Sequence, residues 1–265
     1  MTDFANKSTP PGKISARSGA ARDAIYATPQ TPVADFTFDE RVADVFPDMI
    51  NRSVPGYASM VQGIGRLTQR FAQPGTMLYD LGCSLGAATL AMKQSNQASN
   101  CLIIGLDNSK AMVERCQKHV NAFRGETPVD IRLADIVTAE YEPASVIVLN
   151  FTLQFIPPEQ REALLQRLFD ALVPGGILIL SEKVCEADTF SNDVLIDLHH
   201  EFKRDNGYSE LEISQKRAAI ENVMRLNSLD EHIERLRKLG FAHVQNWYRY
   251  YNFTSTFAVK QASRD

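Results

Sequence analysis

The chain has 265 residues, of which 44% are hydrophobic and 23% are charged, and its formal net charge is −4. These values suit one large α/β domain with additions, and the acidic balance argues against broad non-specific binding to nucleic acid. The sequence has no long uncharged apolar run and no signal-peptide core at its N-terminus. It therefore predicts neither a membrane-spanning helix nor secretion, and we expect a cytoplasmic protein.

Cysteine and histidine usage gives no indication of a metal site. The four cysteines form no C-x-x-C pair, so neither a zinc site nor a disulfide framework is predicted. His199 and His200 are adjacent, and neighbouring residues face different sides of a helix. We therefore predict no metal, and we interpret these two histidines as ordinary helix residues.

The first part of the chain is predicted to contain an extension and two helices. Residues 1–30 are rich in Ser, Thr, Pro and Ala with little periodicity, which is typical of a flexible extension. Its aspartates argue against a transit peptide. Apolar residues recur at helical spacing over 36–46, where Pro47 ends or kinks the run, and again over 59–71. A Pro-Gly turn comes just before Tyr57.

The most informative stretch covers residues 76–90. An apolar run ends in small residues at Gly82 and Gly86 and then resumes as a helical pattern. This order is typical of the first strand, turn and helix of a nucleotide-binding α/β sheet, where glycine allows a tight turn and a close approach to a ligand. The alternative is a glycine-rich turn without a ligand.

An acid, Asp80, lies two positions before the first glycine of this turn. An acid beside a pyrophosphate would be repelled, whereas S-adenosylmethionine (SAM) carries an ammonium and a sulfonium and no phosphate. The stretch resembles motif I of the class I SAM-dependent methyltransferases, with Ser84 in place of the middle glycine. Cys83 is interpreted as a small residue tolerated in the turn.

Four further apolar runs predict parallel strands that alternate with helices, over residues 100–105, 129–134, 145–149 and 177–180. Asp107 follows the first of these runs, near the roughly 20-residue distance past Gly82 at which an acid binds ribose hydroxyls. Asn150 follows the third run, where its amide can donate and accept hydrogen bonds next to a ligand. The pair of strand ends predicts a nucleoside site at the carboxyl edge of a parallel sheet.

The remaining elements are a helix up to Leu172, a turn over 173–176 (Val-Pro-Gly-Gly) and an added helical segment over about 186–227. In that segment, the default interpretation of Lys216 and Arg217 is that both lie on a solvated helix face. A helix and two strands end the chain.

We therefore predict an α/β fold of the class I SAM-methyltransferase, Rossmann-like type. It has a seven-stranded mostly parallel sheet with helices on both faces, N-terminal helices and the added helical segment before the last strands. Residues 31–265 form one SAM-binding domain, and residues 1–30 form the extension.

Long runs of the sequence resemble one family within this fold class. The runs cover residues 38–50, 52–57, 79–90, 148–155, 202–204 and 206–217. They resemble the carboxy-S-adenosyl-L-methionine (carboxy-SAM) synthase family. The resemblance extends from about residue 35 to the end of the chain and does not cover the N-terminal extension.

The resemblance implies an activity and a set of partners. Family members convert SAM and prephenate into carboxy-SAM and phenylpyruvate, in the pathway to the wobble uridine 5-oxyacetic acid of bacterial tRNA. A separate tRNA carboxymethyltransferase then uses the product, so no direct nucleic acid binding is expected here. The family expectation is a homodimer, with the added helices as its interface. The substrate is SAM, with no metal.

The resemblance also implies the residues of the site. SAM contacts are expected from ten positions: Tyr57, Gly82, Cys83, Ser84, Asp107, Asn108, Asp135, Ile136, Asn150 and Arg217. Asp107 would accept from the ribose hydroxyls and Asp135 from the adenine amino group. Arg217 is the predicted catalytic residue, because a carboxylate on the sulfonium methyl needs a permanently charged, bidentate partner.

Two other functions remain as alternatives. An ordinary SAM-dependent methyltransferase acting on tRNA would produce S-adenosylhomocysteine and need a basic face. The acidic balance argues against it, as does the absence of an N-P-P-[YF] motif after the strand that ends near Asn150. A non-catalytic SAM-binding protein would bind SAM tightly without turnover.

Overall fold

The computed structural model describes residues 21–221 and 223–262. The expected flexible extension therefore falls, for residues 1–20, outside the described residues. Residues 21–30 differ from that expectation because they pack on the domain. Asp23 and Tyr26 are buried, and the Gln215 side-chain amide donates to the carbonyl of Tyr26 at 2.9 Å. Residues 21–30 thus pack as part of the domain, whereas the sequence predicts that they belong to the extension.

Seven strands form one sheet in the order β3-β2-β1-β4-β5-β7-β6. Their bounds are Met77–Leu81 (β1), Leu102–Asp107 (β2), Val129–Leu133 (β3), Ala144–Asn150 (β4), Leu172–Lys183 (β5), His243–Tyr250 (β6) and Phe253–Val259 (β7). Strands β1 to β5 pair in parallel, and β7 is antiparallel to both β5 and β6. The predicted seven-stranded, mostly parallel sheet is confirmed.

The helices are Glu40–Ser53 (α1), Tyr57–Phe71 (α2), Ala87–Ser95 (α3), Lys110–Ala122 (α4), Pro158–Ala171 (α5), Thr189–Asp205 (α6), Glu210–Glu221 (α7) and Leu229–Lys238 (α8). Helices α6 and α7 form the added helical segment that the sequence predicts. Helix α6 contacts both α1 and α7. No helix of the described ranges is long and apolar enough to cross a membrane.

The central strands β1, β2 and β4 are buried on both faces, and their successive residues point into two different cores. Leu78 packs into one core, and its neighbours Tyr79 and Leu81 pack into the other. This alternation follows from the two-residue period of a strand, and burial on both faces is typical of parallel sheets covered by helices.

Pro47 does not end the first helix, which was one of the two outcomes that the sequence predicts for it. Helix α1 begins at Glu40 after an Asp39 cap, whose side chain accepts from the backbone N–H of Val42 at 3.0 Å. It continues through Pro47 to Ser53. Proline removes one backbone hydrogen bond in a helix interior. Here the buried apolar face, which includes Val42 and Met49, compensates for that loss.

The Val-Pro-Gly-Gly run is not the separate turn that the sequence predicts before a strand. It belongs to β5, which begins at Leu172. Ala144 of β4 pairs with Leu172, and Val146 already pairs with Ile177. The run is therefore a bulge that adds residues to β5 without ending its pairing to β4, and Gly175 meets the unusual geometry with a φ of +78°.

Candidate active site

The ends of the central strands form one edge of the sheet. Leu81 is in register with Leu106 of β2 and with Leu149 of β4. The next residue of each strand or turn, namely Gly82, Asp107 and Asn150, therefore stands at the same carboxyl edge. This is where ligands bind in open parallel sheets, and the structure brings the three predicted residues together there.

A cavity of about 340 Å³ opens at this edge. Its floor comes from the ends of β1, β4 and β5, and its walls come from helices α1, α6 and α7. The volume lies within the roughly 300–1,000 Å³ of small-molecule sites. Six of the predicted site residues line it: Tyr57, Gly82, Cys83, Ser84, Asn150 and Arg217.

The loop after β1 has the geometry of a ligand cradle. Gly82 has a φ of +74° and Ser84 a φ of +48°, so both lie in the left-handed region that favours glycine. The N–H groups of Gly82 and Cys83 donate to the carbonyl of Leu106 at 2.7 and 3.0 Å. The loop is thereby held close to β2, and the absence of a side chain at Gly82 leaves its backbone accessible.

Asp80 supplies the negative charge of the cavity. It is buried, and the hydroxyl of Thr89 donates to one of its carboxylate oxygens at 2.5 Å. Burial raises the pKa of Asp80 to about 6, and Thr89 opposes that rise. A buried carboxylate in a ligand cavity is stabilised by a cation, and the ammonium and sulfonium of SAM are cations. This donor set fits SAM.

Asp107 holds the same loop from β2. One of its carboxylate oxygens accepts from the N–H of Ser84 at 2.9 Å, and the other accepts from the N–H of Ser109 at 2.8 Å. Each oxygen keeps a further lone pair for a ligand hydroxyl. Asp107 is itself buried, and burial raises its pKa. Asp107 adjoins the loop, but it is not one of the described residues that line the cavity.

Asn150 and Tyr57 lie on the opposite side of the loop. The side-chain oxygen of Asn150 is buried without a hydrogen-bond partner among the described residues. A buried acceptor of this kind is costly unless a ligand or water satisfies it. The next residue, Phe151, has a φ of +61°, and its ring lies 6.4 Å from that of Tyr57. Burial raises the pKa of Tyr57, so its phenol stays protonated.

Three other predicted residues lie beyond the cavity, at the ends of β2 and β3. Asn108 is exposed. Asp135 accepts from the N–H of Val137 at 2.8 Å, and the carbonyl of Ile136 accepts from the Tyr141 hydroxyl at 2.6 Å. Their order along the edge of the sheet is compatible with a nucleoside that extends from the loop, and their contacts with SAM stay predictions.

The opposite wall of the cavity carries positive charge that sequence reasoning largely missed. Lys183, Lys203, Lys216 and Arg217 all line the cavity. By default the sequence predicts Lys216 on a solvated helix face, and this prediction was wrong. Lys216 is buried, with its ammonium 3.1 Å from the hydroxyl oxygen of Ser53 and 3.5 Å from a carboxylate oxygen of Asp23. The helical spacing of residues 196, 199, 200 and 203 could have indicated this wall.

His199 holds helix α6 against helix α1. Its Nε2 atom lies 2.8 Å from the carbonyl oxygen of Ser53. Because a carbonyl only accepts, Nε2 carries the proton. Burial lowers the pKa of His199 to about 2, so the ring is neutral. Among residues 21–221 and 223–262, no cluster of three or more His, Cys, Asp or Glu side chains could hold a metal ion.

Solved structures support the fold. The chain matches an O-methyltransferase family protein from Burkholderia thailandensis at 17% identity and a TM-score of 0.61, over 86% of this chain and 62% of that one. It matches magnesium protoporphyrin IX methyltransferase from Synechocystis PCC 6803, solved with bound SAH, at 17% identity and a TM-score of 0.54, over 89% and 91% of the two chains. At these identities the likeness concerns the fold alone.

Sequence comparisons are more specific. Residues 78–176 match the model of a methyltransferase domain. The carboxy-S-adenosyl-L-methionine synthase of Vibrio campbellii is 59% identical over 238 residues, which cover 90% of this chain and 97% of that protein. The same-named protein of Photobacterium profundum is 56% identical over 91% and 99% of the two chains. The chain therefore belongs to the carboxy-S-adenosyl-L-methionine synthase family of enzymes.

Proposed function

We propose that this protein converts SAM and prephenate into carboxy-SAM and phenylpyruvate. One observation carries the proposal: a single cavity joins a cradle for SAM, built around Asp80 and Gly82, to a wall of cations that includes Arg217. A methyl donor with no charge on its methyl group needs no cation beside that group. A carboxymethyl sulfonium does, because it carries a carboxylate.

In the SAM half of the cavity, each kind of protein group has its own contact with SAM. Asp80 faces the cationic methionyl end, and the loop from Gly82 to Ser84 offers backbone close to the ligand. Asp107, which already orders this loop through the N–H of Ser84, accepts from the ribose. Asn150 contributes the buried acceptor that has no partner in the described protein.

The carboxylate half centres on Arg217, which lines the cavity from α7. A guanidinium stays charged at any physiological pH and presents two parallel N–H groups to a carboxylate. Arg217 therefore stabilises the carboxylate that forms on the former methyl group, in the transition state and in the product.

The chemistry balances without a protein nucleophile. Prephenate loses its ring carboxyl group as CO₂ and its ring hydroxyl group as hydroxide, and the ring becomes aromatic as phenylpyruvate forms. The hydroxide takes a proton from the SAM methyl group and becomes water. The carbanion, stabilised by the adjacent sulfonium, attacks CO₂ and becomes the carboxymethyl group. Confinement within the cavity keeps CO₂ next to the carbanion.

Mass spectrometry of the small molecules tests this function. Purified protein is incubated with SAM, with and without prephenate. The expected result is a SAM species heavier by one CO₂, formed only with prephenate and together with phenylpyruvate. Prephenate labelled with ¹³C in its ring carboxyl group should transfer the label to that species. Formation of phenylpyruvate without the heavier species would contradict the proposal.

The alternative activity has its own outcome in the same experiment. A tRNA methyltransferase would form S-adenosylhomocysteine when unmodified tRNA is added, with no need for prephenate. A SAM-binding protein without turnover would form neither product. We propose that the product is instead passed to a separate tRNA carboxymethyltransferase, which completes the wobble uridine modification. A filter-binding assay should then detect no specific binding of tRNA to this protein.

We also propose a homodimer that works in the cytoplasm. Exposed apolar side chains support an interface on the added helices: Phe190 is 77% exposed, and Val194 and Leu211 are exposed as well. Light scattering should give twice the monomer mass, and Phe190→Ser should shift it toward the monomer. The buried free thiols of Cys83, Cys101 and Cys116 are compatible with a reducing compartment.

A further inference from the structure

We propose that Lys203 binds the carboxylate that prephenate keeps during the reaction. The inference rests on the proposed function and extends it to the second substrate. Prephenate carries two carboxylates. One leaves the ring as CO₂, and the other ends the oxo-acid side chain and remains in phenylpyruvate. The retained carboxylate is the part of the substrate that a protein can hold from binding to release.

Helix α6 directs one face into the cavity. Ile196, His199, His200 and Lys203 line it, and their spacing corresponds to one stripe along a helix. Lys203 lies at the end of this stripe, with its side chain half-buried. The cavity is thus lined by Lys203 on α6, Arg217 on α7 and Lys183 on β5.

The other three cations of this wall already have partners or an assigned function. Lys216 pairs with Asp23 and Ser53. Arg217 is assigned to the new carboxylate, and the ammonium of Lys183 lies 6.0 Å from the centre of the Phe253 ring. The ammonium of Lys203 has no hydrogen bond or ion pair within residues 21–221 and 223–262.

The described lining residues offer Lys203 no acidic partner. Asp80 is the one acid among them, and it lies at the SAM end. Burial, followed by the charges of Lys183, Lys216 and Arg217, lowers the pKa of Lys203 to about 7. Charged groups in protein interiors are paired, so the Lys203 ammonium requires an anion of its own, in addition to the carboxylate that Arg217 binds. An oxo-acid carboxylate supplies it.

The apolar part of the cavity suits the ring of the same substrate. The Phe38 ring lies 5.4 Å from that of Phe155 and 6.3 Å from that of Phe46, and all three line the cavity. A ring that becomes aromatic is stabilised by such edge and face contacts. The cavity therefore offers aromatic contacts to the ring and a cation to the side-chain carboxylate.

Substrate selectivity follows from this arrangement. The analogue in which an amino group replaces the keto group of prephenate carries an ammonium next to the retained carboxylate. Lys203 and its cationic neighbours would repel that ammonium. We expect kcat/KM for the amino analogue to be at least about tenfold lower than kcat/KM for prephenate. A repulsion of about 1.4 kcal/mol between the ammonium of the analogue and these cations corresponds to that factor.

The test compares Lys203→Met and Lys203→Arg with the wild-type protein. Loss of a hydrogen bond between charged groups at this half-buried position should raise KM for prephenate about tenfold or more in Lys203→Met. The dissociation constant of SAM and kcat at saturating prephenate should change much less. Lys203→Arg keeps the charge and should recover most of the loss. Lys238→Met, which removes an exposed lysine of α8, is the matched control.

A binding measurement on the wild-type protein needs no variant. Phenylpyruvate should inhibit competitively with prephenate, and its methyl ester, which lacks the charge, should inhibit at least about tenfold less. Equal inhibition by acid and ester, or an unchanged KM for prephenate in Lys203→Met, would overturn the assignment of Lys203. A wild-type protein that forms no carboxy-SAM but binds phenylpyruvate better than its ester would instead overturn the proposed function and leave the anion site in place.

Discussion

The ammonium of Lys216 lies 3.5 Å from a carboxylate oxygen of Asp23, and both side chains are buried. Asp23 also accepts a hydrogen bond from the Tyr208 hydroxyl at 2.5 Å. One carboxylate near the N-terminus thus fixes helix α7 at Lys216, and the next residue along that helix is Arg217. The folded N-terminal segment is therefore linked to the candidate catalytic side chain through one residue.

Replacement of Asp23 by asparagine should destabilise the protein. The variant leaves the buried Lys216 ammonium without its ionic partner, and breaking a buried pair in this way costs about 3–5 kcal/mol. Urea unfolding followed by circular dichroism measures the free energy of unfolding. Asp193→Asn, at an exposed position of α6, should change it by less than about 0.5 kcal/mol. Equal stability of the two variants would show that the pair contributes little.

Binding of SAM should depend on pH through Asp80. Burial raises the pKa of this carboxyl group to about 6, so below pH 6 it is mostly protonated and has lost the charge that attracts a cation. We expect the dissociation constant of SAM to be about tenfold larger at pH 5 than at pH 7, since one pH unit below the pKa leaves about a tenth of the group ionised. Titration calorimetry across this range measures the effect.

Asp80→Asn is the control for that pH dependence. The variant should bind SAM more weakly at pH 7, and its dissociation constant should no longer change between pH 5 and 7. A pH dependence that survives in Asp80→Asn would assign the effect to another group, with Asp107 as the next candidate because burial raises its pKa as well.

Two substitutions in the loop after β1 should differ in their effect on SAM binding. Ser84→Gly relieves a non-glycine residue at a φ of +48° and should leave stability within about 1 kcal/mol and SAM binding intact. Gly82→Ala places a Cβ 2.5 Å from the Thr152 side chain at a φ of +74°. Thr152 cannot move freely, because its hydroxyl donates to the carbonyl of Leu81 at 2.8 Å. We expect Gly82→Ala to weaken SAM binding at least about tenfold.

Arg217 should be needed for its geometry as well as its charge. Arg217→Lys keeps the charge and loses the bidentate fork, so carboxy-SAM formation at saturating substrates should fall about tenfold. Arg217→Ala should lower it by about 100-fold or more, as for other lost electrostatic contacts to a transition state. Rates are measured by mass spectrometry, with Arg237→Lys on α8 as the control. An unchanged rate in Arg217→Ala would remove the proposed role of this residue.

Much of the fold follows from local sequence patterns. Short apolar runs alternate with helical patterns, and each pattern depends on residues a few positions apart, so strands β1 to β5 lie close to where the sequence predicts them. The glycine-rich loop at Gly82 and the polar residues Asp107 and Asn150 follow from the same patterns, because parallel strands bring their carboxyl ends to one edge. Long runs of similar sequence identify the family.

Contacts between distant segments decided the rest. Lys216 fits a solvated helix face by its local pattern, and only the packing of α7 against residues 21–30 makes it a buried partner of Asp23. Lys203 becomes part of a cation wall only when α6 lies beside the ends of the strands. Helix α1 continues through Pro47 because burial of its apolar face outweighs the loss of one backbone hydrogen bond. Sequence periodicity reports the local backbone, whereas the burial of a charge is a property of elements far apart in the chain.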